Sequence, residues 1–344
     1  MGGNGGPGVS AKWICAALAA GLPAPAMAAA VTETRGFLRP LGPIAELQRT
    51  ELIWATVLIL VAILPVLVGV PWILWRYRRA NTAAKYRPQW HFNTKLEILM
   101  WAGPALIVAA LSLWLAQAVF RIDPYRAISP EMAEGMDFAI EGDTVPVDVI
   151  GLDWKWVFVY PEHGVASVGE MVVPVGRPVA LRLTTDTVMQ SFMAPGLSGQ
   201  IYAMAGMVTR QNLIATETGS TLGTNTQYNG PGFARQRAPV RAVTPETFEA
   251  WIAAARSEGT PLDEGAYARL ARSGDLAQAR ADLDVAGEGP IPFSLAAPDL
   301  FDRVVARYMS GQEIPREAQP GSPTYRPEAL DLPDAPATMM EHAQ

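Results

Sequence analysis

The sequence contains a single cysteine, Cys15, and only three histidines, His91, His163 and His342, which lie far apart along the chain. One cysteine cannot form a disulfide within the chain. A metal site that needs several Cys and His ligands cannot be assembled from these four residues. Disulfide-rich scaffolds and Cys/His metal sites are therefore excluded, and His163, on a predicted turn, is interpreted as a surface residue.

Charged residues are also scarce. They make up 17% of the 344 residues, and the formal net charge is −6. A nucleic-acid-binding protein needs a basic face, so this balance argues against nucleic acid as a partner. Half of the residues are apolar and the mean hydropathy is positive, which indicates that part of the chain lies in a membrane.

Residues 1–30 are predicted to be a secretory signal peptide, since they carry the three parts of such a signal. Lys12 provides a positive start, residues 13–20 form a short apolar run, and residues 26–28 match a cleavage site. The alternative is an uncleaved N-terminal helix, which two interior prolines disfavour. Residues 31–51 then form a segment outside the membrane.

Two long apolar runs, residues 52–75 and 96–120, are predicted to be transmembrane helices. The first run would extend roughly 36 Å as a helix at about 1.5 Å per residue, which is enough to cross a bilayer. The alternative, two buried helices of a soluble core, is disfavoured because both runs exceed the usual length of a core helix.

The linker between the two runs, residues 76–95, is basic and contains no acidic residue. The positive-inside rule therefore places this linker in the cytoplasm and both termini outside, which in a bacterium is the periplasm. Its cationic residues are Arg76, Arg78, Arg79, Lys85, Arg87 and Lys95.

One carboxylate, Glu97, lies one residue inside the second apolar run, at its cytoplasmic end. An ionisable group within a membrane span is expensive to bury and is often functional. The alternative is a carboxylate in the headgroup layer, where the N-terminus of a helix favours negative charge. These residues alone leave both interpretations open.

Residues 121–143 are a polar linker, and residues 144–243 are predicted to be an all-β domain outside the membrane. In residues 152–160, large apolar side chains recur with a period of two, which is typical of a strand. Residues 165–173 form a further strand, and other short apolar runs follow, separated by Gly and Pro turns. This spacing predicts a β-sandwich or barrel.

After the β-domain, residues 244–310 are predicted to be a helical region. Thr244 is a favourable N-cap for its first helix. Helical patterns also cover residues 266–283 and 299–309. The tail, residues 311–344, is rich in Pro and acidic residues and is predicted to be disordered.

Six motifs, taken together and in this order, resemble subunit II of the haem–copper terminal oxidases, most closely the quinol-oxidising branch of the cytochrome bo type. The resemblance implies a two-helix transmembrane hairpin followed by an external, all-β, cupredoxin-like domain and short C-terminal helices. The motifs are NTKLEILMWAGP (93–104), GLDWKWVFVYPEHG (151–164), VMQSFMAP (188–195), GQIYAMAGMVTR (199–210), YNGPGF (228–233) and APDLFDRVVARYM (297–309).

In the branch of the family that oxidises cytochrome c, the β-domain holds a dinuclear copper centre. Its ligands are two thiolates, two imidazoles, a thioether and a backbone carbonyl, a soft set that suits copper. In this sequence, the family's motifs place Gln190 and Arg235 at the two histidines, Gln227 and Pro231 at the two thiolates, Ala238 at the thioether and Asn229 at the carbonyl-donating acid. The resemblance therefore implies no copper or other cofactor in this chain, with haems and copper in partner subunit I.

The resemblance implies a subunit of a proton-pumping ubiquinol oxidase of the bacterial inner membrane, which is not catalytic alone. Its expected partners are the haem-bearing subunit I, the other oxidase subunits, membrane lipid and the quinol that the complex binds. Glu97 matches the acid at the cytoplasmic mouth of a proton channel shared with subunit I. The alternatives are a menaquinol or aa3-type oxidase, and a stand-alone membrane-tethered module that binds a ligand or an assembly factor.

Overall fold

The computed structural model describes residues 34–85 and 89–334. The predicted signal peptide, residues 1–30, and the end of the predicted tail, residues 335–344, lie outside the described residues. Within them, the predicted architecture is confirmed: two long apolar helices precede an all-β domain, and short helices follow it.

Two long helices form the transmembrane hairpin. Helix α1 spans Pro43–Arg76 and helix α2 spans Thr94–Arg121. Both are long and apolar enough to cross a membrane. The first helix begins well before the predicted start at residue 52, because Pro43 is favourable at a first helical position and Ile44 is buried.

The two helices are joined by polar and aromatic contacts near one end of the hairpin. Trp114 Nε1 donates a hydrogen bond to the carboxylate of Glu51. The rings of Trp54 and Trp114 also pack with their centroids 6.3 Å apart. Most large apolar side chains of the hairpin are exposed in the isolated chain, which is typical of helices that pack within a membrane.

The β-domain is a sandwich of two sheets. The strands are β1 Thr34–Arg35, β2 Val145–Leu152, β3 Lys155–Tyr160, β4 Val165–Val168, β5 Met171–Pro174, β6 Pro178–Thr185, β7 Gln190–Met193, β8 Gln200–Ala203, β9 Thr209–Ile214, β10 Gly219–Asn225, β11 Arg237–Val243, β12 Thr260–Leu262 and β13 Ile291–Leu295. In the first sheet the strand order is β5-β11-β10-β7-β8, and in the second it is β12-β13-β4-β3-β2-β6-β9.

Two predicted strands are each divided in the structure. The pattern in residues 152–160 crosses a tight hairpin, because β2 ends at Leu152 and β3 begins at Lys155, its cross-strand partner. The run in residues 165–173 contains β4 and β5, which belong to different sheets. The chain changes sheet at Gly169, whose φ of 91° is accessible mainly to glycine.

Strand β3 is buried on both faces. Trp156 and Phe158 point into the core between the two sheets, where the Trp156 and Phe192 rings meet edge-on at 5.2 Å. Val157 and Val159 point the other way, into a second core that the C-terminal helices cover. The period of two was therefore correct, but neither face of this strand is exposed to solvent.

The C-terminal region, predicted to be helical, also completes the second sheet. Strand β13 pairs antiparallel with β4, and β12 pairs parallel with β13. The single helical pattern in residues 266–283 is divided into two helices around Gly274. The remaining helices are α3 Pro130–Met136, within the predicted linker, α4 Pro245–Glu258, α5 Glu264–Leu270, α6 Leu276–Asp282 and α7 Leu300–Met309.

Residues 311–334, predicted to be disordered, are instead packed against the domain. Arg303 Nη2 donates to the carbonyl of Leu332 at 2.6 Å, and the Leu332 side chain is buried. Tyr325 OH donates to the carbonyl of Ala268 at 2.8 Å. Arginine donors on α7 thus satisfy tail carbonyls, which composition alone did not reveal.

A buried carboxylate links the sandwich to the C-terminal helices. Asp186 follows β6 and is fully buried. It accepts hydrogen bonds from Tyr267 OH of α5 at 2.8 Å and from Tyr308 OH of α7 at 2.7 Å. Arg307 Nη1 also donates to it at 3.0 Å. These charge-assisted hydrogen bonds hold α5 and α7 against the sheet.

A buried lysine makes a second link between the same layers. The Lys155 ammonium donates to the carbonyl oxygens of Asp153, Arg272 and Gly274 at 3.0, 2.7 and 2.9 Å. Burial lowers the pKa of Lys155 to about 8. The turn of the β2–β3 hairpin and the loop between α5 and α6 are therefore held by one side chain.

We expect Lys155→Met to lower the stability of the chain by about 3 kcal/mol at neutral pH, because three buried carbonyls lose their donor. The unfolded chain keeps the lysine proton up to a pKa of 10.5, whereas the folded chain releases it near 8. Between these values the unfolded state binds more protons, so the stability of the wild type rises with pH. The variant lacks this lysine, so the difference in unfolding free energy between wild type and variant is expected to widen above about pH 8.

Denaturant unfolding of the detergent-solubilised full chain, followed by near-UV circular dichroism, measures both effects. Lys95→Met removes an exposed lysine and is the matched control. A Lys155→Met chain that is as stable as the control at neutral pH would contradict a stabilising role for the Lys155 hydrogen bonds.

Candidate functional site

The positions that the resemblance assigns to copper ligands lie at one end of the sandwich. Strand β7 begins there at Gln190, β10 ends there at Asn225, and β11 begins at Arg237. The loop between β10 and β11 crosses the start of β3 and contains a short 3₁₀-helix, Phe233–Arg235. Strand ends from both sheets therefore meet beneath this loop.

Gln236 lies at the centre of this end of the domain and is buried. Its Nε2 donates to Gln190 Oε1 at 2.5 Å and to the carbonyl of Leu152 at 3.2 Å. Its Oε1 accepts from Asn225 Nδ2 at 3.0 Å and from Asn229 Nδ2 at 2.8 Å. We call Gln190, Asn225, Asn229 and Gln236 the amide cluster.

The other atoms of the amide cluster are bonded mainly to neighbouring backbone and hydroxyl groups. Gln190 Nε2 donates to the carbonyl of Leu152 at 3.2 Å and to Thr187 Oγ1 at 3.0 Å. Asn225 Oδ1 accepts from the backbone N–H groups of Ser191 and Gln227, at 3.0 and 2.9 Å. The cluster is thus a connected network of polar side chains.

Trp154 covers the loop that carries the cluster. It lies at the tip of the β2–β3 hairpin, and its Nε1 donates to the carbonyl of Asn229 at 3.1 Å. The indole lies directly on Gly232, where a Cβ atom would overlap the ring of Trp154. Gly230 has a φ of 114°. The two glycines therefore let the loop approach the ring, which supports packing as the role of Trp154.

The six predicted positions differ in their surroundings. Gln190 and Asn229 belong to the amide cluster, and Ala238 is buried in β11. Gln227 is half-buried and Pro231 is exposed. Arg235 is also exposed, and its Nε lies 3.0 Å from a carboxylate oxygen of Asp275.

Gln236, the central member of the cluster, and its partner Asn225 were not predicted from the sequence. A signal was present, because residues 225–236 contain four carboxamide side chains in a short segment. Spacing could not show that one of them would reach into the second sheet. Among the described residues, no three His, Cys, Asp or Glu side chains are grouped closely enough to hold a metal ion.

Glu97, the candidate for proton entry, lies in the first turn of α2. Asn93 caps this helix, since its Oδ1 accepts from the backbone N–H groups of Lys95 and Leu96 at 3.1 Å. Glu97 lines an open groove of about 490 Å³ with apolar neighbours that include Trp101. The carboxylate is therefore presented on the outer surface of the hairpin, where a partner subunit can reach it.

His163 lies in a 3₁₀ turn, as expected, but it is only half-exposed. Its ring packs edge-on against Phe248, with centroids 5.4 Å apart. Burial lowers the pKa of His163. The aromatic contact explains this residue as part of the packing of α4 on the sandwich.

The chain is similar to known proteins over most of its length. No family model matches the chain. The cytochrome bo(3) ubiquinol oxidase subunit 2 of Pseudomonas putida is 36% identical over 272 residues, which cover 79% of this chain and 80% of that protein. The ubiquinol oxidase subunit 2 of Acetobacter aceti is 35% identical over 277 residues, 80% of this chain and 83% of that protein.

Among solved structures, the periplasmic domain of cytochrome oxidase subunit II of Bradyrhizobium japonicum aligns with a TM-score of 0.33 and 24% identity. The alignment covers 35% of this chain and 98% of that one. The sequence relatives are the stronger result, because their similarity extends over most of both chains. This chain therefore belongs to the ubiquinol oxidase subunit 2 family, within the haem–copper terminal oxidases.

Proposed function

We propose that this chain is subunit II of a proton-pumping ubiquinol oxidase that reduces O2 to water, and that it carries no redox centre. The observation that supports this most directly is the pairing of Gln190 with Gln236. The resemblance assigns Gln190 to a copper-binding imidazole, yet its carboxamide is committed to an internal hydrogen-bond network.

The donor atoms of the amide cluster do not suit a dinuclear copper centre. Copper of this kind needs thiolates and imidazoles, which are soft and intermediate donors. The cluster offers neutral carboxamides, and their Nε2 and Nδ2 atoms donate to protein oxygens. The six assigned positions hold no Cys, His or Met side chain.

A quinol oxidase does not need an electron relay in this domain. A soluble cytochrome would have to pass its electron through the external domain, whereas a quinol diffuses within the bilayer. It can therefore reduce a haem in the membrane-embedded subunit I without contact with the β-domain. The absence of soft donors at the assigned positions favours a quinol as the electron donor.

The remaining roles of the chain are to pack against subunit I and to admit protons. The exposed apolar surface of the hairpin is the surface on which subunit I and lipid would pack. The basic linker between α1 and α2 supports a cytoplasmic position for that end, with both termini and the β-domain in the periplasm. Glu97 lies at this same end, where it would admit protons from the cytoplasm into a channel shared with subunit I.

We expect Gln236→Ala to destabilise the chain by about 3 kcal/mol, because two buried amide donors and two buried acceptors lose their partner. Ubiquinol oxidase turnover per assembled complex is expected to be unchanged, since the cluster carries no electrons. Thermal unfolding of the purified complex and oxygen consumption measure the two effects. Gln200→Ala, which removes an exposed glutamine, is the matched control.

Copper analysis of the same preparations tests the proposal about the cofactor. We expect copper only in the amount that subunit I accounts for, and none in the purified full-length subunit II. Two copper ions per subunit II chain, with the purple absorption of a dinuclear centre, would contradict a copper-free domain.

We expect Glu97→Gln to lower oxidase turnover and proton uptake by about tenfold, the loss that 1.4 kcal/mol of added barrier produces. The amide keeps the shape of the side chain but cannot exchange a proton. Glu51→Gln, at the opposite end of the hairpin, keeps an acceptor oxygen for Trp114 and is the matched control. Oxygen consumption and proton uptake of the complex in vesicles measure the effect, and unchanged values for Glu97→Gln would exclude the proton-entry role.

A further inference from the structure

The linker between the transmembrane helices encloses a cleft of about 880 Å³ at the end of α1. The chain turns back immediately after Arg76, the last residue of that helix. The Asn81 side chain donates to the carbonyl of Arg76 at 2.7 Å, and the Asn81 backbone N–H donates to the carbonyl of Arg78 at 2.8 Å. These bonds fix the fold of residues 76–81 at one side of the cleft.

Among the residues that the structure describes, cationic side chains line the cleft and no carboxylate does. The linker, residues 76–95, contains no acidic residue. Among the described residues, no ion pair joins a cation of this cleft to a carboxylate. Like charges held close together repel, so an anion from outside the chain would stabilise the cleft. The four cations are Arg76, Arg78, Arg79 and Lys85.

The remaining walls of the cleft are apolar and aromatic. Trp72, Ile73, Tyr77 and Trp90 contribute to the lining. Trp72 and Trp90 are each 58% exposed, although they are large apolar side chains. Tryptophan and tyrosine concentrate where the hydrocarbon layer of a membrane meets its headgroups. The cleft therefore combines positive charge with an apolar wall at the depth of the headgroups.

We propose that this cleft binds the headgroup of an anionic phospholipid, of which phosphatidylglycerol is a suitable example. The guanidinium groups of Arg78 and Arg79 provide the planar donors that match phosphate oxygens. Lys85 adds a further positive charge, and Trp72 and Ile73 offer an apolar surface to the acyl chains. A free phosphate ion would use the cations but would have no need of the apolar wall.

This site goes beyond the proposed function, since a lipid bound at the linker plays no part in electron transfer. It also does not depend on which side of the membrane the linker occupies. A chain that retains anionic lipid without supporting quinol oxidation, or the converse, would separate the two proposals.

Lipid retention by the purified full-length chain tests the site. The chain is equilibrated in nanodiscs with equal amounts of phosphatidylglycerol and phosphatidylcholine, and the lipids that remain bound after detergent extraction are counted by native mass spectrometry. The triple variant Arg78→Gln/Arg79→Gln/Lys85→Gln is expected to lose about tenfold in the ratio of phosphatidylglycerol to phosphatidylcholine, because each removed cation weakens attraction to an anionic headgroup.

Two matched variants distinguish the cleft from a general effect of charge. Arg210→Gln/Arg237→Gln/Arg269→Gln removes three exposed arginines outside the hairpin and is expected to keep the wild-type ratio. Arg78→Lys/Arg79→Lys retains the positive charge and is expected to keep most of the enrichment. Far-UV circular dichroism measures whether each variant retains its helices.

Three outcomes would overturn the proposal. Equal retention of the two lipids by the wild type would show no preference for an anionic headgroup. An unchanged ratio in the triple glutamine variant would place the lipid elsewhere. Complete loss of enrichment in excess inorganic phosphate would identify the cleft as a site for the free anion rather than for a lipid.

Discussion

The buried carboxamide of Gln236 fastens the two sheets of the external domain to each other at one end of the sandwich. It reaches Gln190 and Asn225 of the first sheet and the carbonyl of Leu152 in the second. Each of these polar groups is buried, so each would cost free energy if its partner were lost. Two of the segments that the carboxamide joins, the start of β7 and the loop after β10, carry positions that the resemblance assigns to copper ligands. A network of neutral amides therefore connects the strand ends at this end of the sandwich.

Features set by long or repeated patterns could be predicted from the sequence. The two apolar runs predicted the transmembrane helices, and Thr244 predicted the start of α4. The Thr244 hydroxyl caps this helix by accepting a hydrogen bond from the backbone N–H of Thr247 at 3.3 Å. Contacts between distant residues could not be predicted in this way. The partners of Gln236, Lys155 and Asp186 lie in other elements, and no local spacing indicates which donor will meet which acceptor. The start of α1 was also missed, because its first turns are too polar to resemble a membrane span.

The C-terminal region shows why composition misled the prediction of disorder. Residues 311–334 contain few large apolar side chains, and their prolines and acidic residues are typical of a flexible tail. Arginines of α7 nevertheless donate to carbonyls of this segment, and Leu332 occupies the second core. A segment of low hydrophobicity can be ordered when a folded surface supplies donors for its backbone, and that surface becomes apparent only when the whole chain has been placed.

The pairing of β4 with β13 has a consequence for the biogenesis of the protein. β4 is one of the earlier strands of the domain, yet its outer neighbour comes from residues 291–295, late in the chain. Until those residues have been synthesised, the edge of β4 and the apolar side chains behind it remain unprotected, which is a hazard for aggregation. The domain thus reaches its final state only near the end of synthesis, and chaperones that bind exposed strand edges would have their main opportunity before that point.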